Sequence, residues 1–166
     1  DHPGIRLVAY RPDDDARIAF TGPGEATGEP LSDAATLSEG LRASWAIPSW
    51  MPPVDIAGRR YVDGGAASTA SVDLIGADDA DVVYVIASMA GLDDVRGPGV
   101  GGLAESTLLR KPMSAVLRRE VAEVRARGTR VVVISPTTEE LGALGANFMN
   151  RNRRAAAFES SLESTR

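Results

Sequence analysis

The sequence predicts an α/β protein built around a mostly parallel sheet. Two short runs, Val82–Ala87 and Val131–Ile134, are continuously apolar and rich in β-branched residues, a composition typical of strands buried on both faces. Between them, apolar residues repeat at helical spacing over about Pro112–Arg127, and charged residues fill the opposite face. Strand, helix and strand in this order predict a βαβ unit with a right-handed crossover.

The chain begins with a predicted β-hairpin. Ile5–Tyr10 and Arg17–Phe20 are β-prone and flank Pro12–Asp15, so three aspartates should lie at the hairpin tip. Neighbouring carboxylates can bind calcium, but no ligand spacing of a known calcium loop follows them, which favours a solvated turn. The Gly/Pro-rich stretch Thr21–Pro30 predicts a loop.

A helix is predicted to begin at Thr36. Its hydroxyl can cap a free backbone N–H, and Glu39, three residues on, can complete a capping box. Pro48 should end the helix, because the residue before a proline avoids the helical region. The residues predicted to form the buried face at helical spacing are Leu37, Leu41, Ser44 and Trp45.

The most informative stretch follows this helix. Val54–Ile56 and Arg59–Val62 predict two short strands, and the second leads into Asp63, Gly64 and Gly65. On spacing alone, Asp-Gly after a strand favours a turn. The alternative is that the glycines let a substrate or another segment approach a carboxylate held on a rigid strand end. Spacing leaves both interpretations open.

The block ASWAIPSWMPPVDIAGRRYVDGG, from Ala43 to Gly65, resembles the second signature of the patatin-like acyl hydrolases. It shares an A-S-x-A-x-P helix end, an aromatic residue with a Pro-Pro turn, and a strand closing in Asp-Gly-Gly. In that family the motif aspartate forms a catalytic dyad with a serine. The resemblance therefore implies a catalytic role for Asp63, supported by Gly64 and Gly65.

The same resemblance implies a three-layer patatin-like fold, a lipid or other acyl-ester substrate, and no cofactor. It also implies a Gly-rich oxyanion loop and a G-x-S-x-G nucleophile elbow, but no serine here has glycine two residues away on both sides. We therefore expect residues 1–166 to be the C-terminal segment of a single patatin-like domain. The serine would lie on an absent N-terminal segment, and this chain alone would be inactive.

The sequence does not assign a single role to the residues near Asp63. Ile47, Trp50 and Met51 could bury the carboxylate and raise its basicity, or they could be plain core, the interpretation favoured for Ile47. The loop Ala66–Leu74 should line the site. Family members commonly have asparagine or proline where this loop has Thr69-Ala70-Ser71, so no binding role is assigned there.

Three features lie further along the chain. Gly97, Gly99 and Gly102 satisfy G-x-G-x-x-G, but the preceding strand ends too far upstream for a dinucleotide site, which favours a mobile loop. Thr137 and Glu140 predict a second capping box, opening a helix through Leu144. A last helix is predicted from about Arg151 to Leu162. Its arginines, Arg151, Arg153 and Arg154, could contact a lipid phosphate, although a solvated charged face is favoured.

Composition narrows the function. The chain of 166 residues has a net charge of −5, which argues against a nucleic-acid partner. With no cysteine, it has no disulfide, thiol nucleophile or thiolate metal site. Its single histidine, His2, is too close to the start to build a Ser-His-Asp triad. No apolar run spans a membrane. The compartment stays open, with a cytoplasmic location or peripheral membrane contact as the expectation.

Two alternative functions remain at this stage. One is a non-catalytic lipid-binding or scaffold protein on the same fold, with Asp-Gly-Gly serving only as a turn. The other is a nucleotide-binding α/β protein that uses the loop from Gly97 to Gly102.

Overall fold

The computed structural model describes residues 4–22, 28–147 and 150–164. The chain divides into two compact units, residues 1–74 and residues 75–166. Both helices and strands are present, so the predicted α/β class is confirmed. The assignment of residues 1–166 to a single patatin-like domain stays a prediction.

The first unit contains a five-stranded mixed sheet. Its strands are β1 (Leu7–Arg11), β2 (Ala16–Phe20), β3 (Leu31–Ser32), β4 (Val54–Ile56) and β5 (Arg59–Asp63), in the order β3-β2-β1-β5-β4. Only β2 and β3 run parallel; the other neighbours are antiparallel. The expected mostly parallel sheet is therefore not what this unit has, and three-layer packing stays a prediction. Short hairpin turns join β1 to β2 and β4 to β5, and such connections require antiparallel strands.

Both hairpins predicted from the sequence are confirmed. Ala9 pairs with Ile18 across the first, and Val54 pairs with Tyr61 across the second. The rings of Phe20 and Tyr61 meet edge to face with their centroids 5.1 Å apart, a favourable aromatic geometry. The buried core of this unit consists of Ala9, Ile18, Phe20, Ala43, Ala46, Val54, Ile56 and Tyr61.

Helix α1 (Leu37–Ser44) has the predicted capping box. The Thr36 hydroxyl accepts from the Glu39 backbone N–H, and the Glu39 carboxylate accepts from the Thr36 N–H at 2.9 Å. The predicted buried face is wrong, because Leu37 and Leu41 are exposed, as is Trp45 just after the helix. The helix instead buries its small residues, Gly40 and Ala43. The reason is its closeness to β1, since a Cβ atom on Gly40 would lie only 3.3 Å from Leu7 Cδ1.

The second unit has two strands and four helices among its described residues: β6 (Val82–Ile86), α2 (Gly99–Glu105), α3 (Lys111–Ala126), β7 (Arg130–Ile134), α4 (Thr138–Leu144) and α5 (Arg154–Ser164). They include the predicted strand–helix–strand arrangement, with β6 and β7 paired in parallel. Helix α2 runs through a π-helical turn, Ser106–Arg110, directly into α3. Gly128, which has a φ of +98°, follows the end of α3. The predicted capping box of Thr137 and Glu140 is confirmed.

Helix α3 packs against β7 and buries Leu117, Val121 and Val124, as its spacing predicts. The prediction that β6 and β7 are buried on both faces is wrong. Their side chains alternate: Val83, Val85 and Val131 are buried, whereas Tyr84, Ile86, Val132 and Ile134 are exposed. A sheet covered on one face shows this alternation, and a continuously apolar sequence cannot reveal it.

Candidate active site

Asp63 is the last residue of β5, at the end of a strand that pairs with the central strand β1 opposite Ala9. Its backbone N–H donates to Ala46 O at 3.0 Å, which ties the strand end to the residues that follow α1. The carboxylate Oδ1 accepts from the Gly65 N–H at 2.8 Å and caps a short 3₁₀ turn, Gly64–Ala66. The backbone therefore holds the carboxylate at a strand end, on a residue that is half-buried as a whole.

Gly64 and Gly65 follow Asp63, and glycine is favoured at each position for a different physical reason. A Cβ atom on Gly64 would lie 2.7 Å from Val8 O, so only glycine lets the chain pass this close to β1. A Cβ atom on Gly65 would lie 3.1 Å from Asp63 Oδ1, so its absence leaves room for the carboxylate to fold back over the turn. The turn and the site interpretations of Asp-Gly-Gly are compatible, because this turn itself fixes the carboxylate.

Residues 10–75 match the family model described as patatin-like phospholipase. That part of the chain is similar to the patatin-like phospholipases. The match includes the whole block that carried the resemblance, with Asp63 and its two glycines. No curated protein matches the sequence.

Within this patatin-like segment, the apolar residues expected beside the aspartate do not form a core. Ile47, Trp50 and Met51 are all exposed, so the core interpretation favoured for Ile47 is wrong. The turn that carries them is anchored by the Asp63 N–H, which donates to Ala46 O, and these three side chains project outward. Together with Trp45, they form an exposed apolar surface that we call the tryptophan turn (residues 45–51).

The loop after Asp-Gly-Gly is tightly structured. The buried Ser68 hydroxyl accepts from the Ala70 and Ser71 N–H groups, at 3.3 and 3.0 Å. Further on, the Asp73 carboxylate accepts two hydrogen bonds from Arg17 on β2, from Nη1 to Oδ1 at 2.9 Å and from Nη2 to Oδ2 at 2.5 Å. This ion pair between the loop and the sheet was not foreseen from the sequence, because the two residues are far apart along the chain.

The aspartates at the tip of the first hairpin are paired with basic or polar groups. Asp14 accepts from Arg11 Nε at 2.6 Å, and Asp13 from Arg60 Nη2 at 2.9 Å. The Arg11 guanidinium holds the pKa of the Asp14 carboxyl below its usual range. Tyr10 Oη donates to Asp15 at 2.9 Å, and this hydrogen bond raises the pKa of the tyrosine. Over residues 4–22, 28–147 and 150–164, no three metal-binding side chains cluster.

The glycine motif of the second unit is only partly a loop. Gly97 precedes a helix that begins at Gly99, so the prediction of a loop is wrong from Gly99 onward. Gly97 and Gly102 are both buried. A Cβ atom on Gly102 would overlap Gly97 O, so packing of the two backbones explains these glycines.

The remaining predicted features fall into two groups. Arg151 and Arg153 lie in a 3₁₀ turn, and Arg154 begins α5; all three are exposed, and Arg153 Nη1 donates to Gly142 O at 3.2 Å. His2 and part of the Thr21–Pro30 loop lie outside the described residues. Among the helices that the structure does describe, none has the length and hydrophobicity needed to cross a bilayer.

Proposed function

We propose that this chain supplies the general base of a lipid acyl hydrolase, and that Asp63 is the base. The nucleophilic serine would come from a segment N-terminal to Asp1. The single observation that carries the proposal is the carboxylate at the end of β5, fixed by the Gly65 N–H at 2.8 Å inside the patatin-like match. In a Ser–Asp dyad the aspartate itself accepts the serine proton, so a carboxylate held in position can serve as the base without a histidine.

The chemistry of such a dyad has two stages. In the first, the serine oxygen attacks the ester carbonyl while Asp63 takes its proton, and backbone N–H groups of a Gly-rich loop hold the oxyanion. The tetrahedral intermediate collapses, Asp63 returns the proton to the leaving alcohol, and an acyl-enzyme remains. In the second, water attacks the acyl group as Asp63 takes its proton, and the fatty acid leaves as the serine is reprotonated.

The decisive variant is Asp63→Asn in the complete protein that includes the serine-bearing segment. Asparagine keeps an oxygen that can accept from the Gly65 N–H, so the turn should fold, while the proton acceptor is lost. We expect turnover of a p-nitrophenyl ester to fall by at least about a hundredfold, the lower end for general-base catalysis. Asp55→Asn, an exposed aspartate on β4, is the matched control and should leave turnover unchanged.

Near wild-type turnover in Asp63→Asn would remove this residue from the mechanism. The 166-residue chain by itself should show no turnover above buffer, because one member of a dyad performs no acyl transfer.

A second candidate function is non-catalytic lipid binding, and the tryptophan turn favours it. Trp45 and Trp50 are 70% and 65% exposed, and no charged residue lies between Arg42 and Asp55. Exposed tryptophan suits the interface of a membrane, so peripheral membrane contact is part of the same proposal. Sedimentation with phosphatidylcholine vesicles separates the two functions. The non-catalytic function would be supported if the complete wild-type protein shows no esterase turnover but binds these vesicles, and if Asp63→Asn binds them equally well.

A further inference from the structure

The second unit contains a cavity of about 210 Å³ that no step of the proposed acyl transfer uses. Glycines make up five of the twelve described residues that line it, and three others carry charged side chains. The lining residues that matter here are Gly97, Gly102, Gly145, Glu105, Arg110 and Arg153. The cavity is smaller than the roughly 300–1,000 Å³ of ordinary organic-ligand sites, so a dinucleotide does not fit and a small group does.

Arg110 is the central feature of this cavity. The residue is 5% exposed, and its guanidinium donates to Glu105 Oε1 at 3.2 Å and to Ser88 O at 3.4 Å. Its Nε has no hydrogen-bond partner, and no other buried side-chain nitrogen or oxygen among the described residues shares that condition. A buried, unpaired donor is destabilising, and the guanidinium that carries it belongs to a side chain that lines the cavity.

The π-helical turn Ser106–Arg110 creates this arrangement. The Lys111 N–H donates to Ser106 O, five residues back, and this wider turn brings residues five apart onto nearly the same face. Glu105 and Arg110 are five apart, and the turn lets them pair. Wider turns of this kind occur frequently at functional sites.

A second guanidinium, that of Arg153, also lines the cavity. Gly145 has a φ of +76°, and the space that a Cβ atom would need there is taken by the Arg153 side chain. Arg153 Nη1 donates to Gly142 O at 3.2 Å, which fixes the side chain against the bare backbone. Two arginines and one glutamate leave the charged lining with a net positive charge.

We propose that this cavity binds a small oxyanion, a phosphate or carboxylate group, between Arg110 and Arg153. The planar guanidinium matches the oxygen geometry of both groups and remains charged at all physiological pH values. Glu105 balances Arg110 when the cavity is empty and opposes an anion when it is filled. The glutamate therefore lowers the affinity, and neutralising it should strengthen binding.

The test is isothermal titration of the whole 166-residue chain with inorganic phosphate, sodium acetate and glycerol 3-phosphate at one fixed ionic strength. Arg153→Ala should weaken binding by about ten- to a hundredfold, the effect of one charge-assisted hydrogen bond. Glu105→Gln should tighten it. Arg151→Ala removes an exposed arginine that is not part of the lining, so it is the matched control and should bind as wild type does.

Tighter binding of the two phosphates than of acetate would identify a phosphate group, and the reverse order a carboxylate. The proposal is overturned if none of the three ligands binds. It is equally overturned if Arg151→Ala weakens binding as much as Arg153→Ala, or if Glu105→Gln weakens it while circular dichroism shows a native fold. Because all these variants lie in residues 75–166, the esterase test of Asp63 stands or fails separately.

Discussion

Replacing Gly64 by alanine tests whether the close approach at the strand end holds Asp63 in place. The new Cβ atom would lie 2.7 Å from Val8 O and 3.0 Å from Val8 C. Both are backbone atoms of the central strand β1, so rotating a side chain cannot relieve the overlap. The end of β5 must move away from β1, and overpacking of this kind costs about 1–3 kcal/mol of stability.

Thermal unfolding of the full chain, followed by tryptophan fluorescence, measures this loss. Both tryptophans, Trp45 and Trp50, lie in the first unit, so the signal reports unfolding of residues 1–74. For a unit of this size, each kcal/mol lowers the midpoint by about 4–8 °C. We therefore expect Gly64→Ala to lower the midpoint by at least about 4 °C.

Gly65→Ala is the matched control, one residue further along the chain. Its new Cβ atom would meet Asp63 Oδ1 at 3.1 Å, which is the end of a side chain that can rotate. We expect a smaller loss of stability than for Gly64→Ala. The reasoning is refuted if Gly64→Ala melts with the wild-type midpoint, or if Gly65→Ala loses as much stability as Gly64→Ala.

Two further predictions concern polar contacts that stabilise each unit. Arg17 and Asp73 form a two-pronged ion pair whose side chains are each 16% exposed, so Asp73→Asn should cost about 1.5–3 kcal/mol. A double-mutant cycle with Arg17→Met, based on free energies of unfolding in urea, should show an interaction energy between the two side chains. Strictly additive losses of stability would contradict this prediction. In the second unit, the Thr137 N–H holds the pKa of Glu140 below its ordinary value. A carboxyl with a depressed pKa stabilises the fold at neutral pH and loses that contribution as pH falls through the folded value. Lowering the pH from about 5 to about 3 should therefore reduce the melting temperature of the wild type more than that of Glu140→Gln. Parallel plots of melting temperature against pH for the two proteins would refute this.

Local chemistry was predictable from the sequence wherever neighbouring residues decide the outcome. The capping boxes at Thr36 and Thr137 depend on two side chains three residues apart, and both form. Asp63 stands at the end of β5 because a β-prone run stops at two glycines. The family match over residues 10–75 agrees with a signature that could be seen in the order of the residues alone.

Only the tertiary structure decided which surfaces are covered. Helix α1 has an apolar side, yet it turns Gly40 toward the sheet because small residues permit close backbone packing. Ile86 on β6 is apolar but 82% exposed, since burial depends on a neighbour that a strand's own sequence does not specify. The pairing of Arg110 with Glu105 requires a π-helical turn, whereas ordinary helical spacing places residues five apart on different faces. Short-range hydrogen bonding follows from neighbouring residues in the sequence. Burial and long-range pairing depend on how segments that are distant in the sequence pack together.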